Sequence, residues 1–206
     1  MKKLKISCDV IVLTKNSQST LERCIQSIER NVPINKLIVI DGGSTDKTLE
    51  IAKQHTKYVV QNINGNRSTA RQLGIRLVDT EWFVFVDSDV VLCHKWFEIV
   101  SKYINPTIGA ISGIEYLPFI KKLFSLFEMA SVYLTSVRGI ALTQNGLIRT
   151  DAIRDINIPN DLHWFEDYYI LKHIRNKGYK YVITKNAYGM HFRPEKWWGI
   201  SGILKD

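Results

Sequence analysis

Cysteine is scarce in this chain. Only Cys8, Cys24 and Cys93 occur among 206 residues, far apart and without a CxxC pair. That argues against a zinc site built on thiolates. The odd and sparse usage fits a reducing compartment, so a cytoplasmic location is expected. Long apolar runs are missing as well. No stretch reaches the roughly 18 apolar residues that a spanning helix needs, so none is expected. The start, "MKKLKISCDVIVLT", has basic residues followed by apolar ones, as a signal peptide does. Asp9 interrupts the apolar part, the run alternates like a strand, and no small-residue cleavage site follows. It is read as the first strand. Low-complexity segments, internal repeats and long linkers are also absent, which leaves one domain over residues 1–206 as the expectation.

What is present is ordinary for a globular protein: 45% hydrophobic and 23% charged residues, in a length that supports a full α/β core. The net charge of +8 fits either a self-repelling soluble surface or an anionic partner. Charge alone does not choose among nucleotide, nucleic acid and lipid headgroup.

Strand and helix alternate along the first ninety residues. Residues 6–13 are rich in Ile and Val and predict a strand. Ser19 with Glu22 predicts a capping box, and Leu21, Cys24, Ile25 and Ile28 then form one apolar helix face. "KLIVI" (36–40) predicts the second strand, with a helix through about Gln54 after it. "YVVQN" (58–62) is the third strand, a helix begins near Ser68, and "EWFVFVD" is the fourth strand. Short connections between alternating elements argue for a parallel sheet with helices on both faces. Ligands bind such sheets at the carboxyl ends of the strands. The loops there read "TKN", "DGGSTD" and "DSD". Beyond them, helices are predicted over 94–104, 119–137 and 165–179, the last with Gly178 as a C-cap. Strands are predicted in "IGAISGIEYL" and "KYVITKNAYGMHF", and a strand and turn in "GIALTQNGLIRTDAI". The tail "RPEKWWGISGILKD" has no assignable pattern.

Several residues in this frame can carry chemistry. Asp87 and Asp89, with Ser88 between them, end a strongly apolar strand. Two carboxylates so placed can grip a hard divalent cation while leaving positions for a substrate's phosphates. A solvated turn with capping acids is the plainer reading. A phosphatase of the haloacid dehalogenase type also uses D-x-D, but there the acids end the first strand. Asp41 ends the second strand before two glycines, where an acid could accept hydrogen bonds from a base edge or a ribose. A tight strand-to-helix turn explains the glycines equally well. Arg67 and Arg71 lie at i, i+4 at a helix start, where cations oppose the macrodipole. A nucleotide diphosphate or Asp87 nearby would offset that cost. Asp167 shares a helix face with Ile170, Leu171 and Ile174. A carboxylate at that first turn could take a proton from an acceptor hydroxyl, or simply support the helix. His191 follows the last strand and could complete a D-x-D metal site, although a lone His is more often structural.

The order of these features resembles glycosyltransferase family 2, the inverting GT-A transferases, from about Ile6 to His191. The resemblance implies a three-layer α/β/α sandwich with a mostly parallel central sheet. A nucleotide-binding half would occupy about 1–90 and an acceptor half about 91–206. It implies that Thr14 and Asn16 line the nucleotide site and that Asp41 contacts base or ribose. Many members carry two acids where this chain has Asp41-Gly42. Arg71, with Arg67 as the alternative, matches the basic position near the nucleotide. Asp87, Ser88 and Asp89 match D-x-D, with Asp89 the foremost metal ligand and His191 the variable late one. Asp167 of the Glu166-Asp167 pair matches the catalytic base. The implied cofactor is Mn²⁺ or Mg²⁺, and the implied donor is a UDP- or GDP-linked sugar.

The acceptor stays open between a saccharide and a lipid-linked carrier. "FIKKLFSLFEMASVYL" and "RPEKWWGI" mix aromatics with Lys and Arg, a mix that suits a core helix and an ordinary terminus or peripheral contact with an anionic membrane. Three other functions compete. A sugar-phosphate nucleotidyltransferase would want glycines after the first strand, and "LTKNSQST" has none. A nucleic-acid-binding domain would cluster its basic residues on one surface. Here they are spread along the chain, so no nucleic-acid partner is expected. A degenerate transferase would not need the intact DSD and ED pairs.

Overall fold

The computed structural model describes residues 6–116, 143–162 and 165–192. The predicted helix over 119–137 and the whole tail, residues 193–206, lie outside the described residues. Within the described residues, eight strands form one sheet: β1 (Cys8–Thr14), β2 (Ile34–Asp41), β3 (Tyr58–Gln61), β4 (Trp82–Asp87), β5 (Val90–Leu92), β6 (Ile108–Tyr116), β7 (Asn145–Arg149) and β8 (Lys180–His191). Their order is β3-β2-β1-β4-β7-β6-β8-β5. The first four strands are mutually parallel. β7 runs antiparallel to both β4 and β6, β6 and β8 are parallel, and β5 closes the edge antiparallel to β8. Among the described residues, five helices accompany the strands: α1 (Leu21–Asn31), α2 (Thr48–His55), α3 (Arg67–Arg76), α4 (Trp96–Val100) and α5 (Glu166–Asn176).

The layering follows from side-chain alternation along buried strands. On β1, Val10 and Val12 face one way and Ile11 the other; on β4, Trp82, Val84 and Val86 oppose Phe83 and Phe85. The first set packs with Cys24, Ile25 and Ile28 of α1, Ala52 of α2 and Trp96 of α4. The second packs with Ala70 and Ile75 of α3 and with Ile170, Leu171 and Ile174 of α5. Both faces are therefore covered, as the helix and strand patterns require.

Three local expectations change. The Ser19–Glu22 capping box does not form. Thr20 is the N-cap of α1 and makes no side-chain cap bond. The Ser17 carbonyl already receives the Thr20 and Leu21 N–H groups, and Glu22 is engaged by Gln26 and His55. The helix over 94–104 shrinks to α4 and a 3₁₀ turn, Ser101–Tyr103, because Lys95 adopts a left-handed conformation (φ 59°) at its start. The short strand β5, next to the DSD turn, has no counterpart in the sequence reading. Gly178 does end α5. Its φ is +85°, its N–H bonds the Arg175 carbonyl, and the Tyr179 N–H bonds that of Ile174. That is the paired closure of a Schellman motif.

Two features hold the site's frame. Asp9, fully buried on β1, receives the N–H groups of Asp79 and Thr80 and the Asn35 amide. This acid lies at the amino end of its strand, opposite the ligand rim, and is structural. Gly74 on α3 lies so close to β1 that a Cβ there would stand 2.7 Å from Ile11 Cγ2. Its lack of a side chain sets α3, and Arg71 with it, tight against the sheet.

Candidate active site

The site forms where β1, β2 and β4 end at one rim, Thr14 beside Asp41 and Leu13 beside Asp87. Asn16 stitches the first two loops together. Its left-handed backbone (φ 50°) lets its N–H reach Ser44 Oγ (2.9 Å) while its Oδ1 accepts from the Thr45 N–H (2.9 Å). Asp41 is fully buried. Its Oδ2 accepts the N–H groups of Gly43 (3.0 Å) and Ser44 (2.9 Å), and its Oδ1 accepts the Ser44 hydroxyl. Both oxygens thus shape their own loop. Thr14 Oγ1 is buried and has no hydrogen-bond partner among the described residues. Buried hydroxyls are rarely left unpaired.

The DSD turn sits beside this loop pair. Ser88 Oγ hydrogen-bonds Ser17 Oγ at 2.9 Å. Asp87 turns toward α3, its Oδ1 3.6 Å from Arg71 Nη2. Asp89 turns the other way, its Oδ2 2.9 Å from His191 Nε2. The second ring nitrogen of His191, Nδ1, lies 2.5 Å from Glu115 Oε1. Burial pulls the His191 imidazole down, but its hydrogen bonds to Asp89 and Glu115 outweigh that and lift it to about 10.

Arg71 is the hub. It is 4% exposed, while Arg67 at the first turn of the same helix is exposed. Asn66 and Thr69 close a reciprocal capping box over that turn, which pairs two of its orphan N–H groups. The Arg71 guanidinium lies 3.4 Å from Glu166 Oε1 and 3.7 Å from Asp167 Oδ1, besides its contact with Asp87. It also donates to Thr143 Oγ1, from Nε at 2.9 Å and from Nη2. Thr143 in turn donates to Asp167 Oδ1. Burial raises the Asp167 carboxyl to about 7, against the pull of Arg71 and of the Thr143 hydrogen bond. Burial likewise pushes Asp87 up against the pull of Arg71.

The structure therefore draws the predicted residues into one neighbourhood. Asp87, Arg71 and Asp167 are joined directly, Asp89 and His191 form a pair, and Thr14, Asn16 and Asp41 build the adjoining loops. Among the described residues, no group of three or more His, Cys, Asp or Glu side chains forms a ready-made metal cage. Three participants escaped the sequence reading as site residues. Glu166 was visible only as the neighbour of Asp167. Glu115 is a lone acid in an apolar strand, a signal that was available. Thr143, inside "LTQNG", carries no local signal.

Residues 9–123 match the family model of glycosyl transferase family 2. The chain belongs to glycosyl transferase family 2. It is 24% identical over 199 residues to the glycosyltransferase AglE of Haloferax volcanii, a match that covers 88% of this chain and 66% of that protein. In fold it is similar to the mannosyltransferase PcManGT of Pyrobaculum calidifontis, solved with GDP-Man and Mn²⁺. That likeness has a TM-score of 0.74 and 17% identity, over 93% of the transferase and 58% of PcManGT. It is also similar to S. aureus TarS residues 1–349 solved with UDP-GlcNAc, with a TM-score of 0.71 and 18% identity, over 92% of this chain and 60% of that one. The transferase thus has the GT-A fold and spans about two thirds or less of the length of these relatives.

Proposed function

We propose that the transferase moves a sugar from a UDP- or GDP-linked donor to a hydroxyl of a saccharide or lipid-linked acceptor, in one inverting displacement aided by a divalent metal. The single observation that carries this reading is Arg71 bridging Asp87 and Asp167. It binds the donor-side acid turn and Asp167, in α5's first turn, into one cluster, as a direct displacement needs. Donors seen in the structural neighbours, GDP-Man and UDP-GlcNAc, support the donor class.

The donor set fits Mn²⁺ or Mg²⁺. Asp89 offers a hard oxygen and His191 an imidazole nitrogen 2.9 Å from it, with Asp87 on the same turn. A metal completed by a substrate's diphosphate needs only one or two protein carboxylates. When bound, it would stabilise negative charge on the departing nucleoside diphosphate. Asp89 would hold it, joined by His191 once the metal displaces the proton on Nε2, and Asp87, tied to Arg71, would support them. Thr14 and Asn16 line the nucleotide's side of the rim, and Asp41 holds the shape of that loop.

Asp167 removes the acceptor's proton. As that proton leaves, the acceptor oxygen attacks the anomeric carbon from the face opposite the diphosphate. The carbon–oxygen bond to the diphosphate breaks, and its electron pair leaves with the nucleotide. A carboxyl poised near 7 suits this exchange at neutral pH.

Calorimetric titration of UDP and GDP, with and without Mn²⁺, on wild type and Asp89→Ala tests the reading. One nucleotide should bind, and only with both the metal and Asp89. Equal affinity with and without Mn²⁺ would sink the metal-assisted mechanism.

A further inference from the structure

We infer that Thr143 is a positioning residue that fixes which oxygen of Asp167 serves as the proton acceptor. The inference deepens the proposed role of Asp167 as base and rests on it.

Hydrogen-bond direction carries the argument. A threonine hydroxyl has one hydrogen to donate and two lone pairs to accept with. Arginine has donors only. The two bonds from Arg71 to Thr143 Oγ1 therefore occupy the hydroxyl as acceptor. Its single hydrogen is left for Asp167 Oδ1. Oδ1 must then be the accepting, proton-free oxygen of that carboxyl, and the nearby Arg71 Nε reinforces this. A proton entering the group goes to Oδ2. Among the described residues, no group hydrogen-bonds Oδ2. Thr143 thus turns a symmetric carboxylate into one with a held oxygen and a working oxygen, and it orients the plane of the group. The hydroxyl is 1% exposed at the residue level, so water does not compete for it.

The titratable groups around Asp167 come from four elements: Arg71 on α3, Asp87 at the end of β4, Glu166 on α5 and the neutral Tyr181 on β8. Substitution of Thr143 leaves all of them in place.

The test is a ¹³C NMR titration of the aspartate carboxyl carbons in wild type, Thr143→Ser and Thr143→Val, with the Asp167 resonance assigned through Asp167→Asn. Wild type should titrate near 7. Thr143→Ser, which keeps the hydroxyl, should match it. Thr143→Val should move the midpoint up by about 1 pH unit, the size expected for one lost hydrogen bond to a charged group. A midpoint that stays put in Thr143→Val would overturn the role of Thr143, as would a serine variant that behaves like the valine one. A folded serine variant keeps the comparison decisive even where valine perturbs packing. Full sugar transfer by Asp167→Asn would remove Asp167 as base and leave the titration result standing, so the two failures are distinguishable.

Discussion

Asp89 Oδ2 and His191 Nε2 meet at 2.9 Å although 102 residues separate them in the chain. The short strand β5 makes this meeting possible, because Val90 pairs with His191 across the sheet edge. Glu115 holds the far side of the ring. A carboxylate on Nδ1 orients an imidazole and keeps Nε2 turned toward its ligand. Glu115→Gln should therefore weaken Mn²⁺ binding in the presence of UDP or GDP by about 10–100-fold, the usual cost of losing such an outer partner. Titration of the Mn²⁺ paramagnetic resonance signal measures it directly. Unchanged affinity would show that the Glu115–His191 contact serves the fold alone.

Arg71 is a buried cation facing three carboxylates, Asp87, Glu166 and Asp167. Removing it leaves those acids uncompensated in a poorly solvated place. Arg71→Ala should cost about 3–5 kcal/mol, the range for breaking a buried ion pair from one side. Urea denaturation would show the loss as a lower midpoint. A loss below about 1 kcal/mol, typical of an exposed pair, would mean that the acids reorganise or take up protons at no great cost.

Asp167 must be ionised to accept a proton, and burial sets its carboxyl near 7. Transfer at saturating donor should fall about tenfold per pH unit below that midpoint and level off above it. A pH–rate profile from about 5 to 9 would reveal the limb. A flat profile across neutral pH would point to an acceptor that arrives already ionised.

His55 ties α2 to α1 through Glu29 (2.9 Å) and Glu22 (3.0 Å). Burial lowers the affinity of its ring for a proton, but the two glutamates outweigh this and its pKa is raised. A folded-state value above the unfolded one means that the protonated pair stabilises the fold. That stabilisation is complete below the ordinary histidine value of 6.5 and fades as pH rises through the raised folded value. The melting-temperature gap between wild type and His55→Gln should thus be wider at pH 6 than at pH 9. Equal gaps would remove the ion pairs from the account of the α1–α2 contact.

Much of the nucleotide-side architecture was legible in the chain. Apolar runs ending in acids marked the strands and their rim, and the 3.6-residue spacing of Leu21, Cys24, Ile25 and Ile28 marked α1. Those signals are local: burial on two faces demands continuous apolar strands, and a rim open to a ligand admits charge. The pairing of Arg71 with both acid motifs was only half visible. Its position opposed the helix dipole and so asked for a nearby anion, but α3 can be placed against β4 and α5 only in three dimensions.

By itself, the sequence determined which elements form, which strand ends carry carboxylates and which family the pattern resembles, because propensity and periodicity act over a few residues. Tertiary structure decided what each acid does. Asp9 and Asp41 look alike in sequence, each an acid bordering an apolar strand, yet one braces the far end of the sheet and the other folds its own loop. Asp87 and Asp89 stand two residues apart, yet one turns to Arg71 and the other to His191. The role of Thr143 appears only when the turn leading into β7 delivers it between α3 and α5. A carboxylate's function depends on which donors surround it, and those donors come from elements far away in the chain.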